Sequence, residues 1–199
     1  MTKDDFLTNY WRFYISIEQR FAETEKYVDF DKTNFKTFSV TYASMIREIG
    51  SEVDVTFKEL CDISQDNKDA DISDYKKIVM QKYSSILSQK ITVAGITLTP
   101  FDKWSEKTPT WWKAYNGIKH GRAKNYRKAN LENTINLLGA LFIIENYLLK
   151  KIVAQTGEFD NLQKNSSLFQ MKDWQTKTIN MSDCVITTYG EEDAFTEKE

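Results

Sequence analysis

The chain is predicted to be mainly α: an up-and-down bundle of about five helices with a small β-hairpin and a further candidate strand near the C-terminus. Three observations carry that expectation. Only seven Gly and two Pro occur in 199 residues, so tight turns are few and regular elements long. Hydrophobic residues make up 41% and aromatics 14%, enough apolar surface for one substantial core. Apolar residues also recur with a helical period over most of the chain, and with a two-residue period in one short stretch only.

In chain order, Phe6, Tyr10, Phe13, Tyr14, Ile17 and Phe21 share one helical face and predict a helix from about Asp4 to Val28. Phe35, Phe38, Tyr42, Met45, Ile46, Ile49, Val53, Phe57 and Leu60 predict a longer one from about Thr33 to Asp62. It crosses Gly50, and Thr33 or Asn34 would cap its start. The polar, aperiodic run Ser64 to Asp71 reads as a loop, and Ser73 to Gln89 as a third amphipathic helix. From Ile91 to Thr99 the pattern changes to β-branched alternation around Gly95, which predicts two short strands turning near Ala94-Gly95. A lone hairpin is marginal in water, so it must pack on the helices or pair with another strand.

Thr108-Pro109 predicts a helix start, with the helix running to about Lys119 and stopping at Gly121 in a left-handed cap. A basic linker follows. Asn130 to about Ala154 is the most apolar segment and is expected at the centre of the bundle. Beyond Gly157 a polar linker runs through Ser167, Asp183 to Tyr189 forms the candidate strand that would extend the hairpin, and the end is acidic. The expected organisation is a helical bundle over 1–155, with the hairpin near 91–99, and a C-terminal appendage over 156–199. Phe13, Ile17, Phe38, Met45, Leu138, Leu141 and Phe142 are expected in the core.

The net charge of −2 gives no global field that would recruit nucleic acid, so any such binding needs a local patch. Cys61 and Cys184 are distant and form no CxxC or Cys/His ligand spacing, consistent with a reduced, cytoplasmic setting. The N-terminus lacks the apolar core of a signal peptide. Leu137 to Ile144 falls short of the ~20 residues that span a bilayer, so no membrane role is expected. No Gly-rich phosphate loop follows a strand, and one His with two distant Cys makes no zinc site. Asp66, Asn67, Asp69 and Asp71 lack the glycine and distal Glu of a calcium loop. No metal or cofactor is expected.

One stretch concentrates chemistry. Lys107 to Leu131 contains no carboxylate but holds Lys113, Lys119, His120, Arg122, Lys124, Arg127 and Lys128, with Trp111, Trp112, Tyr115 and Tyr126 interleaved. Cations beside aromatic faces suit a single-stranded nucleic acid, with phosphates neutralised and bases stacked. Lys113, Tyr115, Lys124, Arg127 and Lys128 are the candidate nucleic-acid-binding residues. The competing reading assigns the tryptophans to the core and the cations to a helix C-terminus. His120 is the only histidine, and Asn116 lies one helical turn before it on the same face. An imidazole can move protons, an amide can hold a phosphate oxygen, and the cations Arg122 and Lys119 can neutralise developing charge. That set suffices for RNA cleavage by 2′-hydroxyl attack, if a two-fold dimer supplies the second proton carrier.

The run Trp111-Trp112-Lys113-Ala114-Tyr115-Asn116-Gly117-Ile118-Lys119-His120-Gly121-Arg122, followed by a basic loop and the apolar helix from Asn130, resembles the HEPN superfamily. The resemblance implies a small, often dimeric helical bundle acting as a metal-independent endoribonuclease in phage defence or a toxin–antitoxin system. RNA would be the substrate, and an antitoxin or regulatory protein a further partner. The family pattern is Arg, commonly a polar residue such as Asn, three more positions, then His. Aligned on His120, the Asn falls on Asn116 and the Arg position on Tyr115. That departure leaves a second expectation open: a catalytically inactive HEPN-like module that binds nucleic acid or a protein.

Overall fold

The computed structural model describes residues 1–160, 162 and 164–174, and the backbone of 177–180 and 185–188. The architecture is a mainly helical bundle with a small three-stranded antiparallel sheet. The chain enters through a capping box between Thr2 and Asp5 into α1 (Lys3–Phe6), continues through a π-helical turn (Leu7–Trp11), and proceeds as α2 (Arg12–Ala22). The π turn holds one residue more than an α turn, which rotates everything after it by roughly 100° about the axis. Trp11 therefore follows Phe6 into the core in place of Tyr10, and Phe13, expected inside, is 47% exposed.

α3 (Val40–Leu60) starts later than its apolar stripe predicts. The Ser39 hydroxyl accepts from the Tyr42 N–H at 3.0 Å and caps it, while Asp31 caps a separate 3-10 turn, so neither Thr33 nor Asn34 is the cap. Residues 35–39 instead run beside residues 129–132. Ser39 donates to the Ala129 carbonyl (3.2 Å), Leu131 to that of Thr37 (2.9 Å) and Glu132 to that of Phe35 (3.1 Å). Phe38, bridged to Asn130, thus leaves the helical stripe and is 40% exposed rather than core.

α4 (Ile72–Lys82) begins at an Asp71–Asp74 capping box and breaks at Tyr83 (φ −138°), where a 3-10 turn over Ser84–Leu87 completes the expected segment. β1 (Ile91–Val93) and β2 (Ile96–Leu98) pair through Ala94 and Gly95, both at positive φ (46° and 76°), the backbone a tight two-residue hairpin turn requires. The third strand of this sheet is β3 (Gln170–Met171), with Ile91 opposite Met171. β4 (Lys177–Asn180) and β5 (Val185–Thr188) pair with each other, so the C-terminal strand does not extend the hairpin. Asp183, Cys184 and Tyr189 of that expected strand lie outside the described residues.

α5 (Thr110–Asn125) and α6 (Leu131–Thr156) complete the bundle. Asn130 caps α6 by accepting from the Asn133 N–H (2.9 Å), and Gly157 ends it at φ 73°. α3 and α6 form the centre and run parallel. Their N-termini are joined by the 35–39/129–132 pairing, Thr56 donates to Glu145 in the last third of α3, and the Lys151 ammonium donates to the Glu59 and Leu60 carbonyls at the far end. Ile17, Met45, Leu138, Leu141 and Phe142 are buried as expected. No helix among the described residues is long and apolar enough to cross a membrane.

Part of the chain beyond Gly157 is bound to the bundle. The buried Glu18 carboxylate accepts from the Tyr14 hydroxyl, the Ser166 hydroxyl, and both the N–H (2.9 Å) and hydroxyl (3.0 Å) of Ser167. The Trp11 indole donates to the Lys164 carbonyl (2.7 Å), and Phe169 is 2% exposed against Phe142. Charge-assisted bonds of this kind are the strong ones, and truncating one partner strands the others. Glu18→Ala is expected to lower stability by about 2–4 kcal/mol. Amide hydrogen exchange across 164–171 should accelerate; unchanged exchange there would show that Glu18 does not hold the segment.

Candidate functional site

α5 divides by face. Trp111, Trp112, Ala114, Tyr115 and Ile118 point into the bundle, and the Trp111 indole donates to the Pro100 carbonyl at 2.7 Å. The tryptophans are therefore core. Lys113, Lys119, His120, Arg122 and Lys124 are exposed, and Asn116 is half-buried.

Tyr115 is 5% exposed, with its ring pressed against α3 at Gly50, where the missing side chain makes room for it. It packs on Trp112 (ring centres 5.1 Å apart), and the Lys119 ammonium lies 5.4 Å from its ring centre. Tyr115 thus sits almost wholly inside the bundle rather than on a surface that could stack a base.

A groove of about 460 Å³ runs beside this face, where Lys113, Asn116 and Lys119 meet Asp54, Lys68 and Asp71. The stretch without carboxylates in the sequence is therefore not without them in space. Asp54 accepts from the Tyr75 hydroxyl (2.7 Å) and pairs with Lys58 (3.3 Å), which holds one negative charge across from the lysines. No local pattern could have found Asp54, Lys68 and Asp71, since they come from α3 and the loop before α4.

Beyond His120 the helix does not stop. Gly121 departs from helical geometry (φ −160°, ψ 54°), which kinks α5, and the helix resumes to Asn125. That φ is extended rather than left-handed, so the expected glycine cap is absent and the basic linker is largely helical. The Asn125 amide folds back to donate to the Gly121 carbonyl (2.9 Å). Its side chain also crosses Gly117 so closely that a Cβ there would lie 2.9 Å from Asn125 Cγ. A 3-10 turn (Tyr126–Lys128) then carries Arg127 and Lys128, both exposed.

The structure thus places the candidate residues in two groups. Lys113, Asn116 and Lys119 line the mixed-charge groove. His120, Arg122, Lys124, Arg127 and Lys128 occupy the exposed end of α5 and its following turn. Asn116 adjoins both, one helical turn from His120. Among the described residues, none bonds to the His120 imidazole, the Asn116 amide or the Arg122 guanidinium.

Among the described residues, no group of three or more His, Cys, Asp or Glu is placed to hold a metal ion. Cys61 is buried and its thiol is pushed up to about 12 by burial, then by Asp62 against the opposing pull of Lys151, so it is no nucleophile near neutrality. Comparison with protein-family models, curated proteins and solved structures finds no match to the chain.

Proposed function

We propose that the chain is a HEPN-like endoribonuclease acting in phage defence or as the toxin of a toxin–antitoxin pair. The observation that carries this reading is the exposed His120 one turn from Asn116, at the cationic end of α5, with no hydrogen-bond partner among the described residues. In the proposed reaction the 2′-oxygen attacks phosphorus, a base takes the 2′ proton, and the bond to the 5′-oxygen breaks as an acid protonates that oxygen. The products are a 2′,3′-cyclic phosphate and a 5′-hydroxyl end. His120 carries one of the two proton transfers, and His120 of a second copy supplies the other across a two-fold dimer. Asn116 orients a phosphate oxygen, while Arg122 and Lys119 stabilise the charge that develops on phosphorus oxygens.

The test is cleavage of mixed cellular RNA in EDTA by the parent and by His120→Ala. The parent is expected to cut, and the variant to lose about 10²–10⁴-fold in rate. Equal rates would remove His120 from the chemistry.

A second reading is favoured by Tyr115, which fills the family's Arg position with a buried ring: a non-catalytic HEPN-like module that binds nucleic acid or a protein partner. It predicts that neither protein cleaves, and that RNA binding weakens steeply with salt and survives loss of His120.

A further inference from the structure

We infer that Phe38, Tyr126 and Arg127 form a stacking subsite for a base of single-stranded RNA, beside the cations at the end of α5. The inference rests on the nucleic-acid reading of that surface and adds a residue from a different part of the chain. The 35–39/129–132 pairing brings Phe38 to the turn after α5. There its ring meets Tyr126 edge-on (centres 5.3 Å apart) and the Arg127 guanidinium at 5.7 Å. Phe38 remains 40% exposed, and Val40 beside it is 71% exposed.

Two exposed apolar side chains beside an arginine that pairs with no carboxylate among the described residues are explained by a ligand that is both flat and anionic. The charge around them fits. The Lys36 ammonium neutralises Glu132 at 2.5 Å, whereas among the described residues no carboxylate pairs with Arg122, Lys124, Arg127 or Lys128. Aromatic faces edged by cations hold bases irrespective of sequence, and an arginine beside the ring adds a cation–π contribution. His120 and Tyr126 are six positions apart, about 9 Å at the rise of a helix, or two to three stacked nucleotides. A strand seated on Phe38 therefore reaches His120 within a few nucleotides.

The test is fluorescence anisotropy in EDTA with a labelled oligothymidylate, which lacks the 2′-hydroxyl and so cannot be cleaved by this route, and an abasic oligonucleotide of the same length. The full chain would be compared with Phe38→Ala and Phe38→Trp, with folding checked by circular dichroism. Phe38→Ala is expected to weaken oligothymidylate binding by about 5- to 150-fold, the range of one stacked base. The abasic probe should bind unchanged, and Phe38→Trp should bind the oligothymidylate at least as well as the parent.

Parent-like oligothymidylate binding by folded Phe38→Ala, or equal loss on both probes, would overturn the subsite and leave the nucleic-acid reading standing. Loss of self-association at unchanged oligonucleotide affinity would overturn it in favour of a contact between copies of the chain. A parent that binds neither probe would overturn the subsite and the nucleic-acid reading together.

Discussion

Raising the pH from 5 to 8 is expected to destabilise the fold, and Glu145→Gln to remove most of that loss. Glu145 projects from α6 into the core and is 2% exposed. One oxygen accepts from Thr56 at 3.1 Å, and the other has no partner among the described residues. Burial pushes the carboxyl up to about 8; the Thr56 hydroxyl opposes this and the charge of Glu52 adds to it. Once unfolded, the same group ionises near 4.5. Between those values the folded chain keeps a proton that the unfolded chain has released, so the unfolded state binds fewer protons and stability falls as pH rises.

The full effect is about 5 kcal/mol at most, complete above pH 8 and absent below pH 4.5. Glu52, whose own carboxyl is raised by burial and by Glu48, contributes with the same sign, so the difference between parent and variant is the informative quantity. Urea denaturation of both at pH 5, 6, 7 and 8 measures it. Parallel stability profiles would show that Glu145 does not titrate across this range.

Gly50→Ala is expected to destabilise by about 2–4 kcal/mol, against the usual sign of that change. In the middle of a helix, Ala is ordinarily better than Gly by about 1 kcal/mol. Here the added Cβ would clash with the Tyr115 ring, 2.6 Å from Cε2 and nearer still to Cγ and Cδ2. Those atoms belong to the root of a rigid ring wedged beside Trp112, so the clash is relieved only by moving α5 away from α3. Because Asn116 and Lys119 ride on α5, the same shift would disturb the groove they line.

Tyr115→Ala in the Gly50→Ala background should recover part of the loss, giving a coupling energy between the two sites. Strict additivity in thermal or urea melts of the four proteins would mean that the ring and Gly50 do not meet. A neutral or stabilising Gly50→Ala would mean that α5 has room to spare.

These two positions show what was legible in the residues and what was not. The helices of the bundle and the hairpin were readable because each has a local cause. Apolar residues repeat at the helical period, Asn130 and Gly157 punctuate α6, and Ala94-Gly95 makes the hairpin turn. The candidate site was readable for the same reason, since Asn116, His120 and the cations are neighbours on one helix and its turn. Phase was harder to read. A single π turn at Leu7–Trp11 moved Phe13 from the core to the surface, and periodicity alone does not announce an inserted residue.

Every feature that depends on residues distant in the chain was decided by packing. Phe38 looked like the next residue of an apolar stripe, yet pairing with residues 129–132 was worth more than another helical turn and put its ring beside Tyr126. The sheet took its third strand from Gln170–Met171, because Glu18 and the Phe169 contact fasten that segment alongside. Tyr115 carried the signature of a surface aromatic among cations, and Gly50, sixty-five positions away, made it core. Local composition sets which backbone a segment prefers and which chemistry it carries. Which of its faces meets solvent is set by the partner it packs against, and only the fold brings that partner near.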